Sequence, residues 1–410
     1  MKSLLDSRTA WITASAALAL MTIAYGAPLV VVVAMKQIAA ELQTNRSGPA
    51  AAGSLSYVGA AFGGIVAGWL AGRMGIRPIV IFGSTMVAAG LLLSAFGGLF
   101  ELYVGHGVLM GLFGTSCMFS PLLTYVSLWF ERRRGQAVAL IASGQAVAGA
   151  IWPPLLQFGI DHVGWRHTML WFGAFVLLSS VALTMIFLHP APIAAPSATA
   201  GGPAGTQHRD STLGLPPNLL MGLLMVAVFS CCVPMAMPMN HLVAYCGDLG
   251  FASQYGAVML SVLLGVAFLA RQFWGWLSDK IGGFQTLLFS SLVQATALAG
   301  FLVTKDMAAL FVVSAVFGLG LSGLLPAYVI VIRDCFSIQE ANWRIPSVMF
   351  AGLLGMAAGG WGAGLLYDRF GDYLAAFSTG MAFNLVNLAV LLFLVSRPHT
   401  RLMRQPQTST

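Results

Sequence analysis

Charged residues are scarce in this sequence. Lys, Arg, Asp and Glu make up 8% of the 410 residues, whereas 58% are hydrophobic and the mean hydropathy is +0.84. A soluble domain carries roughly 25% charged residues, so the composition excludes that class and indicates an integral membrane protein. The formal net charge of +7 does not predict nucleic-acid binding, because the position of basic residues relative to the membrane decides what the charge means.

Signatures of enzymatic chemistry are missing as well. The sequence has no P-loop, no HExxH, no GxSxG and no His/Cys cluster at metal-binding spacing. We therefore expect no enzyme activity, no ATP hydrolysis, no cofactor and no metal. Five cysteines form no CxxC pair, and we interpret them as small core residues, with a disulfide or metal site as the alternative. They are Cys117, Cys231, Cys232, Cys246 and Cys335.

Long apolar runs fill most of the chain. A helix that crosses a bilayer needs about 20 mainly apolar residues, and we predict twelve such helices in an all-α membrane protein. The first run exceeds the roughly 7–15 residues of a cleavable signal core, so we interpret it as a retained span. The segments are residues 11–35, 48–71, 78–97, 101–130, 135–160, 166–188, 217–245, 253–277, 285–303, 307–332, 346–366 and 373–396.

One connection differs from the short polar turns between the other segments. Residues 190–216 are rich in Pro, Ala, Gly, Ser and Thr. Such a stretch cannot bury a core, so we predict a flexible linker. It separates an N-terminal six-helix bundle, residues 1–189, from a C-terminal six-helix bundle with a short tail, residues 217–410. We refer to the two bundles as the N half and the C half.

Basic residues are distributed unevenly between the two sides that these segments define. Fourteen of the 20 Lys and Arg residues fall on the side of the termini and the linker. The positive-inside rule places that side in the cytoplasm. We therefore predict a multi-pass protein of the cell membrane, monomeric in the lipid bilayer, with both termini cytoplasmic. The opposite side carries five basic residues: Lys36, Arg46, Arg166, Lys305 and Arg369.

Two motifs occur twice at the same offset. GWLAGRMG at 68–75 returns as GWLSDKIG at 275–282, and DHVGWR at 161–166 returns as DRFGDY at 368–373. Both pairs are 207 residues apart. Two separate motifs at one offset indicate a duplicated bundle of six plus six helices. Parallel halves of this kind place a substrate site between them, near the middle of the membrane.

The turns after the second and eighth segments resemble the signature of the major facilitator superfamily: Gly, an apolar pair, an acidic residue, a basic residue and Gly. The resemblance covers essentially the whole chain and implies the major facilitator fold and transport by alternating access. The acidic position is Asp279 in the C half but Gly72 in the N half, which indicates a weaker or differently built lock of the outward-facing state. The resemblance implies a role in conformational gating for Gly68, Arg73, Gly75, Gly275, Asp279, Lys280 and Gly282.

Within that superfamily, three stretches resemble the monocarboxylate porter and oxalate–formate antiporter group. They are SLWFERRRGQAVALIASG at 127–144, NHLVAYCGDLG at 240–250 and LARQFWGWLSDKIGG at 269–283. The resemblance implies a small carboxylate as substrate and carboxylate contact at Arg271. Many animal members have an aspartate one turn earlier, which the resemblance links to proton coupling, but this chain has Ala267 there.

Arg271 is also singled out by its position, because it is the one full charge well inside an apolar segment. Such a charge is costly unless it faces protein, water or a partner. A guanidinium matches a carboxylate with two hydrogen bonds, which favours a substrate anchor. The alternative is a structural arginine that pairs with helix-end carbonyls or extends to the cytoplasmic surface.

Other polar residues within the segments complete the predicted site. His241 lies in a proline-containing segment that can bend and could accompany a proton near neutral pH, as could His106. Tyr328 could donate a hydrogen bond to a carboxylate. A helix-packing role is the alternative for each, since small polar residues hold membrane helices together. The remaining candidates for substrate contact are Asn240, Tyr25, Leu29, Ser116, Ser120, Ser143 and Gln145.

These observations predict a secondary active transporter of a small organic anion, with a proton or a counter-anion as a further partner. One alternative is an exporter of drugs or neutral metabolites. SGQAVAGAIWPP in the fifth segment does not fit the usual antiporter signature, which disfavours that alternative. The other is a receptor that binds without transport, and a long soluble signalling domain would favour it.

Overall fold

The computed structural model describes residues 5–190 and 213–397. Within these ranges the regular elements are helices, without a strand. Most of the predicted linker, residues 190–216, lies outside the described residues, as does the tail after residue 397. Leu213 and Leu215, at the end of that linker, are buried against the apolar core of the C half.

The described part of the N half consists of α-helices of very different lengths and one π-helical segment, Val104–Thr115. The α-helices are α1 (Arg8–Ala24), α2 (Leu29–Val33), α3 (Met35–Glu41), α4 (Ser47–Met74), α5 (Ile76–Phe96), α6 (Leu99–Tyr103), α7 (Ser116–Ser127), α8 (Arg134–Ala142) and α9 (Gly144–Phe187). Helices α6 and α7 flank the π-helical segment and form one continuous helix with it, Leu99–Ser127.

The described part of the C half is more regular. Its helices are α10 (Pro217–Asp248), α11 (Ser253–Ile281), α12 (Gly283–Val303), α13 (Met307–Ser322), α14 (Leu324–Cys335), α15 (Ile338–Phe370) and α16 (Leu374–Val395). Their buried apolar residues form one continuous core, to which Val32, Met35 and Ala50 of the N half also contribute.

The predicted spans correspond to these helices. Nine helices in the described ranges are long and apolar enough to cross a membrane, or ten if the bent pair Ser47–Gly64 and Val66–Met74 counts as one span. One of the nine, Gly135–Phe187, covers two predicted segments and is kinked at Gly164. The all-α membrane fold is confirmed, and the number of twelve spans stays a prediction.

The first predicted segment, residues 11–35, is broken around Gly26 and Pro28. Proline has no N–H to donate to a helix, and the N–H of Gly26 donates only three residues back. The carbonyl of Thr22 is satisfied instead by Nε1 of Trp152 in α9, at 2.7 Å. A side chain at position 26 would approach that indole to 2.6 Å, so glycine lets Trp152 cover the break.

Each copy of the two repeated motifs contains a glycine with a positive φ angle, but only the first motif also keeps the same ψ angle, since ψ is 164° at Gly164 and 1° at Gly371. Gly75 and Gly282, which end the copies of the first motif, have φ angles of 83° and 87°. Gly164 and Gly371 in the second motif have φ angles of 77° and 78°. Side chains rarely tolerate these angles, so each turn requires glycine. The first motif thus keeps its backbone geometry in both copies, and the duplication of a six-helix bundle stays a prediction.

The halves meet mainly along two pairs of helices, α4 with α15 and α9 with α11, and to a smaller extent where α2 contacts α10. Glycine permits the close approach at both crossings. A Cβ added at Gly149 of α9 would lie 1.9 Å from Leu264 of α11, and one added at Gly360 of α15 would lie 2.8 Å from Ser54 of α4. Small residues allow such contacts between membrane helices. The predicted site residues on α9 and α11 therefore lie next to the boundary between the halves.

Candidate substrate site and gates

Arg271 extends from α11 to the N half. Its Nη1 donates a hydrogen bond of 2.7 Å to the carbonyl of Ala142, the last residue of α8. The next helix starts at Gly144, so this is a helix-end carbonyl. The Nε of Arg271 is buried and has no hydrogen-bond partner among the described residues. The guanidinium thus lies at the boundary between the halves with one buried donor unused.

Both interpretations of Arg271 find support in this geometry. The bond to a helix-end carbonyl is the contact that a structural arginine would make. The unpartnered Nε favours the substrate anchor, because a buried donor without an acceptor is destabilising and a bound anion would supply the acceptor. A carboxylate can accept from Nε and a terminal nitrogen together. The site lies eight residues before Asp279, about 12 Å along the helix.

Ser143 and Gln145 flank the break between α8 and α9. The hydroxyl of Ser143 is buried and donates to the carbonyl of Ala139, at 2.9 Å. It is therefore used within its own segment, where it stabilises the break. Gln145 is half-buried two residues further on, in the first turn of α9. Both residues belong to the segment that Arg271 contacts, and neither has a described contact with Arg271 itself.

Tyr25 and Leu29 lie at the break in the first segment, and both are half-buried. The Tyr25 ring packs edge-on against Phe119, with the ring centroids 6.5 Å apart. Tyr57 in α4 lies within range of electrostatic interaction with Tyr25 and with the side chain of Asn240 in the C half. Residues of both halves thus lie in one layer.

Asn240 is buried in α10, and its Nδ2 donates to the carbonyl of Ala236, at 2.9 Å. Its Oδ1 would lie 3.9 Å from a Cβ added at Gly53 of α4, so the side chain faces the N half. Tyr57 and Phe119 join this layer although the sequence analysis missed them. Pro121 lies two residues after Phe119, but neither aromatic residue carries a signal that distinguishes a boundary-facing aromatic residue from one that faces lipid.

Ser116 and Ser120 occupy the first turns of α7. The hydroxyl of Ser116 donates to the carbonyl of Leu112 in the π-helical segment, at 2.6 Å. Ser120 is half-buried, and its Oγ would lie 3.6 Å from a Cβ added at Gly68. π-Helical turns are rare and often occur at functional sites. Ser116 stabilises the end of that segment, and Ser120 lies opposite α4 of its own half.

Tyr328 belongs to a buried network inside the C half. Its hydroxyl donates to Oδ1 of Asn387, at 3.0 Å, and Nδ2 of Asn387 donates to Ser291, at 2.6 Å. All three side chains are fully buried. The network joins α14, α16 and α12, which supports the helix-packing role for Tyr328 in this conformation.

A second pair of amides, which the sequence analysis missed, joins α16 and α12 to α10. Nδ2 of Asn384 donates to Oε1 of Gln294, at 2.8 Å, and Nε2 of Gln294 donates to the carbonyl of Cys231, at 3.3 Å. The signal in the sequence is the spacing of Asn384 and Asn387, which puts both on one face of a helix. Two amides on one face of an apolar helix predict a polar contact with a neighbouring helix.

His241 is fully buried, and both ring nitrogens have partners. Nε2 lies 2.7 Å from the carbonyl of Gly360, so it donates there. Nδ1 then accepts from the hydroxyl of Tyr373, at 3.0 Å. This arrangement supports the structural alternative for His241, which fixes α10 to α15 and to the turn before α16.

His106 is fully buried in the π-helical segment. Its Nδ1 lies 3.1 Å from the carbonyl of Leu102 and 3.2 Å from the hydroxyl of Ser94. Its Nε2 is buried and has no partner among the described residues. Of the two predicted proton carriers, His106 is thus the one with an unpaired nitrogen.

The basic residues of the two repeated turns stack on tryptophans of their own helices. The Arg73 guanidinium lies 4.0 Å from the ring centroid of Trp69, and the Lys280 ammonium lies 3.9 Å from that of Trp276. The two pairs are equivalent by the 207-residue offset. Each of these cation–π contacts lies within one helix, so neither contact connects the two halves.

Most of the remaining gating residues have few close neighbours in this conformation. Asp279 is exposed, and no described ion pair involves it. A Cβ added at Gly72, Gly75 or Gly275 would meet nothing within 4 Å, whereas one at Gly282 would meet only the tip of Gln285. The two turns are therefore not pressed against other parts of the described chain.

Contacts between the halves are concentrated at the opposite end. We call the end with Arg46 and Asp248 the first end, and the end with turns 68–75 and 275–282 the second end. Two described hydrogen bonds between the halves lie away from the first end, from Ser261 to Gly149 and from Arg271 to Ala142. The others connect Lys36, Arg46 and Ser47 with Asp248, Asp368 and Tyr373. The protein is thus closed at the first end.

Comparison with known proteins identifies the family to which this fold belongs. The family model of the Major Facilitator Superfamily matches residues 11–307. Monocarboxylate transporter 13 of Rattus norvegicus is 28% identical over 364 residues, which cover 85% of this chain and 82% of that protein. Monocarboxylate transporter 11 of Mus musculus is 29% identical over 391 residues, which cover 91% and 84%.

A solved structure supports the fold. The crystal structure of the nucleoside transporter NupG superimposes on 94% of this chain and 100% of that chain with a TM-score of 0.74, at 12% identity. The predicted major facilitator fold and the prediction that the chain is not an enzyme are therefore confirmed. The chain belongs to the major facilitator superfamily and is a multi-pass membrane transporter similar to the monocarboxylate transporters.

Proposed function

We propose that the chain is a secondary active transporter of a small organic anion, a monocarboxylate or related carboxylate, and that it works by alternating access. The observation that carries this proposal is Arg271, a charge inside the membrane at the boundary of the halves whose buried Nε is unpartnered among the described residues. The similar proteins are monocarboxylate transporters, which supports the same substrate class.

In this proposal the Arg271 guanidinium binds the substrate carboxylate through Nε and a terminal nitrogen. Nη1 is already bonded to Ala142 of the other half, so the substrate binds where the two halves meet. Tyr25, Tyr57 and Asn240 supply hydrogen-bonding groups in the neighbouring layer. A neutral analogue can accept hydrogen bonds from Arg271 but cannot neutralise its charge, which is the physical basis of anion preference.

The test is counterflow in proteoliposomes loaded with an unlabelled carboxylate. We expect labelled short monocarboxylates to accumulate transiently against excess internal substrate, and we expect their amides not to compete. Repeating the assay with an imposed pH gradient shows whether a proton or a counter-anion is the co-substrate. Binding without counterflow would favour a receptor, and competition by neutral compounds alone would favour the exporter alternative.

We further propose that the first end faces the outside of the cell, so that this conformation is inward-facing. The proposal rests on the positive-inside rule, since the first end carries the five basic residues and the second end fourteen. A cysteine in place of Ser211, in the linker, is expected to react with an impermeant maleimide from the cytoplasmic side only. A cysteine in place of Lys305 should react from the outside only. The reverse pattern would invert the topology.

A further inference from the structure

The second repeated motif makes different contacts in its two copies. In the first copy, DHVGWR at 161–166, Nε1 of Trp165 donates to Glu41 at 2.5 Å and Nε of Arg166 donates to Glu41 at 2.6 Å. Nη1 of Arg166 also donates to the carbonyls of Ala95 and Gly97, at 2.6 and 2.9 Å. The hydrogen bond from Arg166 holds the pKa of the Glu41 carboxyl below its usual value. All these partners lie in the N half.

In the second copy, DRFGDY at 368–373, the equivalent residues reach across the boundary. The Asp368 carboxylate accepts from the backbone N–H groups of Arg46 and Ser47, at 2.9 and 3.0 Å. These groups begin α4, a helix of 28 residues, so an acidic residue of the C half caps a helix of the N half. The matching residue of the first copy, Asp161, instead accepts from Gln157 of its own helix, at 2.7 Å.

Arg46 is the centre of this arrangement. Both terminal nitrogens of its guanidinium donate to the Asp248 carboxylate, and Lys36 donates to the same carboxylate at 3.1 Å. The guanidinium also lies 3.7 Å from the ring centroid of Tyr367. Only 12% of the Arg46 side chain is exposed. A two-pronged, largely buried ion pair contributes more than a solvent-exposed one.

The arrangement continues into the interior of the C half. Nη1 of Arg46 donates to the hydroxyl of Tyr373, at 3.1 Å. That hydroxyl then donates to Nδ1 of His241, whose Nε2 donates to the carbonyl of Gly360. Gly360 is itself at the crossing with α4, next to Ser54. Loss of Arg46 would thus remove a partner from Tyr373 and loosen the crossing behind it.

We propose that residues 368–373 and Arg46 form an inter-half latch, in which Arg46 and Asp368 are gating residues that keep the first end closed. The two copies of the motif then have different roles, because the first copy stabilises one half and the second copy joins the two halves. The latch must break in each transport cycle before the first end can open. This inference requires only that the protein alternates between two states, and it holds whichever substrate is carried.

The test measures opening of the first end directly in the full-length protein. Ser54 is buried at the crossing, and its hydroxyl has no hydrogen-bond partner among the described residues, so Ser54→Cys is a reporter that sacrifices no described contact. Its reaction rate with an impermeant maleimide applied at the first end is compared with that of a parent carrying only the native cysteines. Arg46→Gln and Asp368→Asn should each raise the rate about tenfold or more, because each removes charge-assisted hydrogen bonds.

Matched controls come from the first copy of the motif. Asp161→Asn removes the group equivalent to Asp368, and Arg166→Gln removes an arginine whose described partners all lie in the N half. Neither variant should change the reporter rate. Tyr373→Phe removes a single hydroxyl without changing the ring, and it should also raise the reporter rate. This variant tests the proposal even if Arg46→Gln does not yield folded protein. Equal rates in wild type and Tyr373→Phe, or equal increases in latch and control variants, would overturn the proposal.

Discussion

Replacing Arg271 with lysine is expected to weaken carboxylate binding by roughly 10- to 150-fold. Lysine keeps the positive charge but loses the planar fork, so one charge-assisted hydrogen bond worth about 1.5–3 kcal/mol disappears. Arg271→Ala should weaken binding further and abolish the preference for an acid over its uncharged amide. The measurement is binding affinity for both compounds on purified, monodisperse variants.

The control for Arg271 is its neighbour Gln272, which is exposed on the same helix. Gln272→Ala should leave the affinity for the acid unchanged. A purely structural arginine predicts a different result, because its bond to Ala142 would then serve only to hold the halves. Arg271→Ala would in that case lower the yield of folded protein, and the folded fraction would bind the acid as the wild type does. That outcome would end the carboxylate-anchor proposal.

The fold follows from features that are local in the sequence. Apolar length marks the spans, and the 207-residue offset marks the duplication. Glycine recurs at the same position in both copies of each motif, and the positive φ angles at these positions explain why. The break in the first segment was harder to predict, because the carbonyl that it leaves at Thr22 is satisfied by Trp152 of α9, which lies far away in the sequence.

The candidate site was only partly predictable. Arg271 can be singled out from the sequence alone, because a charge inside an apolar segment is energetically costly unless it has a partner. Tyr328 is polar in the same sense, yet its contact with Asn387 places it in helix packing. Sequence alone does not distinguish the two cases, because a hydroxyl can be satisfied by a neighbouring helix as well as by a substrate. Which groups meet across the boundary depends on how two halves dock.

The latch shows the same limit from another side. The sequence reveals DHVGWR and DRFGDY as copies, and equal copies would predict equal contacts. Asp161 and Asp368 nevertheless bond to different halves. The difference arises because the N-terminal end of α4, with Arg46, lies against the second copy in the closed first end. In our proposal this pairing belongs to one state of the transport cycle, and sequence motifs do not encode which state is populated.

Replacing Gly364 with valine is expected to prevent closure of the first end and to reduce transport by about 5- to 150-fold. A Cβ at this position would lie 2.9 Å from Cα of Ser47 and 3.1 Å from Cβ of Ala50, so α15 and α4 cannot keep their present distance. Overpacking a tight contact costs typically about 1–3 kcal/mol, which corresponds to that range. The measurements are the counterflow rate and the maleimide reactivity of the Ser54→Cys reporter.

Gly362 provides the matched control on the same helix. A Cβ there would meet nothing within 4 Å, so Gly362→Val changes helix propensity as Gly364→Val does but leaves the crossing free. We expect wild-type transport from Gly362→Val, and slow transport with a reactive Ser54→Cys reporter from Gly364→Val. Because the clash at Gly364 lies between the halves and not within either of them, both variants should fold. Wild-type transport by Gly364→Val would mean that α4 and α15 do not need this close approach at any stage of the cycle.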